Sequence, residues 1–322
     1  MISLQPRLSD SAPKDVVIAT LAAAILALAG IKYMPGLGMI LWTLPISLII
    51  IKRSCWSGML VLALTALVVS GVSEPAAAAA FMAQFALVGL FFGIGLKRRW
   101  RLGTVITVGI IISILTFLSM ELAALYSQGI SLNEAVKPSE EIYNRTMEMY
   151  QRAGLLDNIQ GEGINQEEFA AITRQLVDTL RRLVPSFMAI GAIATAVFNF
   201  LLLHLLGQRL RLDIVELPRF MDWQLPWYLT YGVILGLAAL LGGNYLHPAV
   251  KLFGENLLML FAPVLVVFGT SVAVFFYQKA PWPMWLKIGL VVLGFVYIWF
   301  TLMMLMALGL FDPLFGYRKR FS

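Results

Sequence analysis

The sequence predicts an all-α, polytopic transmembrane bundle of about nine spans that carries one polar helical hairpin, and three observations predict it. First, 60% of the 322 residues are hydrophobic and only 13% are charged, against about 45–50% and 25% in soluble domains, whose surfaces must stay wet. Second, the mean hydropathy is +0.83. Third, the apolar residues fall in long runs separated by short polar clusters, with one long polar stretch at 127–185. A soluble globular chain is thereby excluded. The net charge of +6 does not point to nucleic acid, because the basic residues sit in short clusters beside apolar runs, as cytoplasmic loop ends do. One cysteine, Cys55, forms no internal disulfide or thiolate cage, and His204 and His247 are the only histidines, so no metal site and no cofactor are expected.

A bilayer core of about 30 Å takes about 20 apolar residues per helix, fewer where flanking side chains snorkel. The candidate spans are 16–30, 38–51, 57–72, 76–96, 104–126, 187–206, 227–241, 257–277 and 285–308. The second is short and contains Pro45, so a kinked or tilted helix is expected there, its freed carbonyl satisfied by neighbours. The resulting divisions are 1–126 with five spans, 127–185 as the polar hairpin, and 186–322 with four spans. No cleavable leader is expected: Arg7 and Lys14 are offset by Asp10 and Asp15, and no small-residue cleavage motif follows the first run.

Lys97, Arg98, Arg99 and Arg101 form the densest basic loop, which the positive-inside rule places in the cytoplasm. Counting from there, the N-terminus, Lys52, Arg53, Arg209, Arg211, Lys279 and Lys287 fall inside and Glu74 outside. The ninth span then puts Arg318, Lys319 and Arg320 outside, against the rule, so either a C-terminal segment is re-entrant or the tail is an exception. By the same count the stretch 127–185 is extracytoplasmic. Ser139 with Glu140 and Glu141 starts one helix, with Ile142, Thr146, Met149 and Ala153 on one face; Asn165 and Glu168 start another, with Phe169, Ile172, Leu176, Leu180 and Leu183 at helical spacing. Two amphipathic helices are expected, packed on each other or on the membrane surface. The stretch holds nine acidic and six basic residues, net −3 against +9 on the remainder, an acidic cap on a basic body. Its bend, 157–168, matches a calcium loop only in part, because Ile159 and Gly161 stand where oxygen ligands belong. No phosphate-binding loop, zinc-protease or serine-hydrolase motif occurs, so a pumping role requires a partner that supplies the energy.

A polar side chain inside a span costs several kcal/mol unless it faces protein or water. Gln84, Glu121 and Asn199 are the leading candidates, with Asn244, His247, Glu255 and Asn256 around the outer end of the seventh and eighth spans and Thr270 and Ser271 within the eighth. Each has a plainer reading: Glu121 snorkels, Gln84 and Asn199 are interhelical glue, His204 meets headgroups, and Asn244 to Asn256 is an interfacial loop. The tryptophans, at span ends, read as an aromatic belt. Two features stand above this background. Ala19, Ala23 and Ala27 make a small-residue stripe that serves either an outside partner or the chain's own packing. The Pro/Gly loop from Tyr33 to Gly38, leading to Trp42, Thr43 and Pro45, is rigid enough to dip in from outside and help form a pocket.

At these residues the chain resembles the DUF2232, or YybS-like, predicted membrane proteins, a family grouped with the substrate-binding S components of energy-coupling-factor transporters. The alanine-rich opening with its Thr43-Leu44-Pro45-Ile46 and Lys52-Arg53, the stretch Leu217-Pro218-Arg219-Phe220 with Trp223-Gln224-Leu225-Pro226, and the tail from Leu308 to Lys319 carry the likeness. The resemblance implies an S-component-like plan for the first six spans, a docking face at Ala19, Ala23 and Ala27 for a coupling subunit with separate ATPases, and a ligand pocket near Tyr33, Trp42, Gln84, Glu121 and Asn199. The three further spans and the hairpin depart from that plan.

The expected protein is therefore a multi-pass protein of the bacterial inner membrane, not an enzyme, that binds a small-molecule or lipid-like ligand from outside. A membrane scaffold whose hairpin holds an extracytoplasmic protein is the main alternative, and a lipid enzyme using Glu121 and His247 as acid and base is a weaker one.

Overall fold

The computed structural model of the chain describes residues 12–33, 38, 40–127, 129, 140–152 and 166–320. Among these residues the secondary structure is helical throughout, as it must be where lipid leaves backbone groups no other partner. The helices are α1 (Ala12–Lys32), α2 (Leu44–Lys52), α3 (Cys55–Val72), α4 (Pro75–Lys97), α5 (Leu102–Ser127), α6 (Glu140–Arg152), α7 (Gln166–Arg182), α8 (Val184–Arg209), α9 (Thr230–Gly242), α10 (Pro248–Lys279), α11 (Met284–Val296) and α12 (Ile298–Phe315). Six are long and apolar enough to cross a membrane: Pro13–Lys32, Cys55–Val72, Leu102–Met120, Val184–Arg209, Pro248–Lys279 and Ile298–Phe315. Phe85–Lys97, Trp227–Gly242 and Met284–Val296 are shorter apolar stretches. Large apolar side chains are exposed along these helices, as lipid-facing surfaces require.

The chain divides into two compact units, Met1–Gly129 with Gly191–Leu217, and Ile130–Ile190 with Pro218–Ser322. The hairpin helices α6 and α7 thus group with the C-terminal helices, and α8 contributes to both units.

In the first unit the second expected span is a half-helix. α2 has nine residues, about 14 Å at 1.5 Å per residue, too short to cross. Pro45 in its first turn fits a helix start and not a helix interior. The short helix is the centre of the unit: Ile46, Ile49 and Ile50 join Trp42 in one apolar cluster, while Leu44 joins Phe92 and Phe200 in a second. Ala23 and Ala27 are fully buried in the first cluster with Ala19 beside them, and α1 packs on α3 and α2. The small-residue stripe is spent on packing within the chain, letting helices approach closely.

Polar contacts join the ends of several helices in this unit. Asp15, at the start of α1, binds Lys52 Nζ at 2.9 Å and Arg53 Nη2 at 2.7 Å. Lys97 Nζ donates to the carbonyls of Ile50, at 3.1 Å, and of Arg53, and Arg99 pairs with Asp213 beyond α8. The clusters that the sequence count assigns to one side of the membrane therefore meet at one end of the unit.

In the second unit α10 is the spine. Its 32 residues make about 48 Å, well beyond a bilayer core of about 30 Å. The helix starts at Pro248, with His247 Nδ1 accepting from Ala249 N at 3.1 Å as its cap, so Glu255 and Asn256 stand inside a helix and not in the expected interfacial loop. The ninth expected span is likewise divided, because the helix breaks at Tyr297 into α11 and α12. α12 crosses α10 at two glycines: a Cβ on Gly269 would lie 1.8 Å from the Leu305 carbonyl oxygen, and one on Gly309 2.2 Å from that of Leu265. Gly309→Leu forces these backbones apart, with an expected loss of about 1–3 kcal/mol, read as a lowered Tm of the solubilised protein.

The C-terminus is locked by a buried ion pair. α12 ends at Gly316 in the left-handed conformation (φ 59°), whose N–H donates to the Asp312 carbonyl at 2.8 Å. The chain turns back there, and Arg318 donates to Asp312 Oδ2 from Nη2 at 2.6 Å and from Nε at 3.1 Å. Arg318 Nη1 reaches the Met221 carbonyl at 2.7 Å and Ser271 Oγ at 3.2 Å, and Nη2 reaches the Trp223 carbonyl at 2.8 Å. Both charged side chains are 6% exposed. Arg318 is thus an internal partner of Asp312, and the apparent exception to the positive-inside rule loses that charge.

Candidate functional site

Of the sequence-predicted ligand residues, Trp42 and Asn199 are both buried. Asn199 Nδ2 donates to Thr43 Oγ1 at 2.6 Å and to the Ile40 carbonyl at 2.8 Å, tying α8 to the break before α2. Ser47 Oγ continues the network to the Gly89 carbonyl at 2.7 Å. Asn199 Oδ1 is buried without a hydrogen-bond partner among the described residues. Trp42, expected in the aromatic belt or lining a pocket, is instead a core anchor. Tyr33 is 77% exposed. The loop residues 34–37, the side chains of Gln84 and Glu121, the helix starts at Ser139 and Asn165 and residues 157–165 of the bend lie outside the described residues. His204, expected at headgroups, is buried, its ring stacked on Phe200 and its Nε2 3.1 Å from Gln208 Nε2.

A cavity of about 500 Å³ opens in the second unit, within the size range of small-ligand pockets. Leu258, Phe261, Ala262 and Leu265 of α10, Val233 of α9 and Met306 of α12 make its apolar wall, and Thr179 and Arg182 of α7 with Glu255 of α10 supply its polar end. Glu255 to Leu265 is ten residues of helix, so the slot follows α10 for about 15 Å. Pro263, in the same stretch of α10, lacks the donor that would close on the carbonyl of Met259, a lining residue.

The polar end is assembled by Asn256. Its Nδ2 donates to the Arg182 carbonyl at 2.9 Å and to the Leu252 carbonyl at 2.9 Å. Its Oδ1 accepts from Ser186 N at 3.2 Å, and Ser186 Oγ lies 2.6 Å from it and 2.8 Å from the Asn256 carbonyl. One side chain thus staples α10 to the α7–α8 junction and fixes Arg182 beside Glu255. Asn256→Leu removes these bonds at an expected cost of about 1–3 kcal/mol, which differential scanning fluorimetry of the solubilised protein checks.

The two charges are uncommitted. Arg182 donates only to Thr179 Oγ1, at a long 3.5 Å, and Glu255 has no hydrogen bond or ion pair among the described residues. Sequence reasoning places Glu255 and Asn256 at a span end but does not bring Arg182 to them, because Ser186 and Asn256 are 70 residues apart and no spacing rule joins them. Asp312, an acid within an apolar run, carries the same signal as Glu121, and only the fold reveals its partner.

The hairpin helices meet where the Arg174 guanidinium stacks over the Tyr143 ring at 4.8 Å. Ile172, Leu176 and Leu180 of α7, expected to pack on the other hairpin helix or on the membrane surface, are exposed. No curated protein and no solved structure matches the chain. The family model described as Predicted membrane protein (DUF2232) matches residues 21–313, which take in the half-helix α2, every residue lining the cavity and Asp312, and the chain belongs to this family.

Proposed function

We propose that the protein is a membrane-embedded binder of a lipid-like ligand, comparable to the substrate-binding component of a transporter, and that the ligand occupies the cavity along α10. The observation that carries this reading is the amphiphilic lining: an apolar slot with a cation and an anion at one end only. Such a wall favours a tail, at about 0.8 kcal/mol per buried methylene, and orients its headgroup toward Arg182 and Glu255. By the positive-inside count, that end is extracytoplasmic. Ala19, Ala23 and Ala27 are buried within the first unit, and the binding reading does not depend on a coupling subunit. Native mass spectrometry of the purified protein tests it: about one equivalent of a small amphiphile is expected to co-purify, and protein free of any adduct contradicts it.

The exposed stripe of Ile172, Leu176 and Leu180 favours a second reading, an assembly role in which α7 docks on a protein or on the membrane surface. Leu176→Lys separates the two, since Leu176 does not line the cavity: it disrupts docking and leaves ligand binding intact.

A further inference from the structure

Resting on the reading of the cavity as a lipid site, we propose that its ligand is a single-chain zwitterionic amphiphile, with a phosphate taken by Arg182 and an ammonium group taken by Glu255. Both side chains line the same end of the cavity, yet they do not pair with each other. A half-buried carboxylate with no partner is costly, and a guanidinium with most of its N–H donors unspent is a phosphate fork waiting for an acceptor. Two opposite charges held apart in one site are complementary to a headgroup whose phosphate and ammonium are joined by a short spacer. A purely anionic headgroup meets repulsion from Glu255, and a purely cationic one meets it from Arg182. The Asn256 staple fixes the Arg182 backbone next to Glu255 before any ligand arrives, which lowers the ordering cost of binding. The cavity, about 500 Å³, offers one apolar track, along Leu258, Phe261 and Leu265, and therefore accommodates one chain.

The test is a titration of the full-length protein in amphipol, followed by native mass spectrometry, with dodecylphosphocholine, dodecyl phosphate and dodecyltrimethylammonium as probes that share one tail. The zwitterion is expected to bind at least about tenfold more tightly than either singly charged probe. Glu255→Gln is expected to bring dodecyl phosphate level with dodecylphosphocholine, and Arg182→Gln to weaken both phosphate-bearing probes. If dodecyl phosphate binds best and Glu255→Gln changes nothing, or if all three bind alike, the headgroup assignment is overturned while the lipid reading stands. If none of the three binds, both fall. The ranking by the unmodified protein is informative alone, so a poorly folding variant does not spoil the test.

Discussion

Arg318→Leu lowers the stability of the protein by about 3–5 kcal/mol, the cost of leaving one member of a buried ion pair uncompensated. Asp312 loses its only side-chain partners among the described residues, its Oδ1 being already without one. The Met221 and Trp223 carbonyls lose their Arg318 donors as well, so the stretch from Pro218 to Pro226 is no longer tied to the tail. A double variant, Asp312→Leu with Arg318→Met, removes both charges together and recovers a large part of the loss, because desolvating the pair cancels much of its attraction. Thermal melts of the solubilised protein read both results, the single variant falling by about 10 °C. A single variant as stable as the parent, or a double variant worse than the single, contradicts the role given to this pair.

Ala262→Trp abolishes ligand binding, with Kd raised by at least about a hundredfold. Ala262 lines the slot about two-thirds of the way from Glu255 to Leu265, and an indole there occupies the volume that a tail requires. The stability cost is small, since the new ring enters a cavity and does not overpack a filled core. Loss of binding with an unchanged melt separates occlusion from unfolding. The same substitution at Ala192, a fully buried residue of the first unit, destabilises instead, by about 1–3 kcal/mol.

The apolar runs are legible because lipid enforces one solution, a helix, on any long uncharged segment. Lys52, Arg53, Lys97 and Arg99 gather at one end of the first unit for the same reason: charged flanks stop at the interface. The half-helix α2 is less legible, since its composition is that of a span and only Pro45 and the buried Asn199 contact set its start. The break at Tyr297 has no proline or glycine pair to announce it. The cavity along α10 is the least legible feature. Hydropathy flags Gln84, Glu121 and Asn199 because each interrupts an apolar run, whereas the cavity joins an exposed arginine of the hairpin to a glutamate about two turns inside α10. What brings them together is Asn256, a residue whose pattern reads as interfacial loop.

The most direct test of the cavity is photo-crosslinking with a single-chain lipid that carries a diazirine near the end of its tail, followed by peptide mapping. Labels are expected on Phe261, Leu265 and Met306, all lost in Ala262→Trp. Labels concentrated at Trp42 and Asn199 of the first unit, or spread evenly over the lipid-facing helices and unchanged by Ala262→Trp, contradict it.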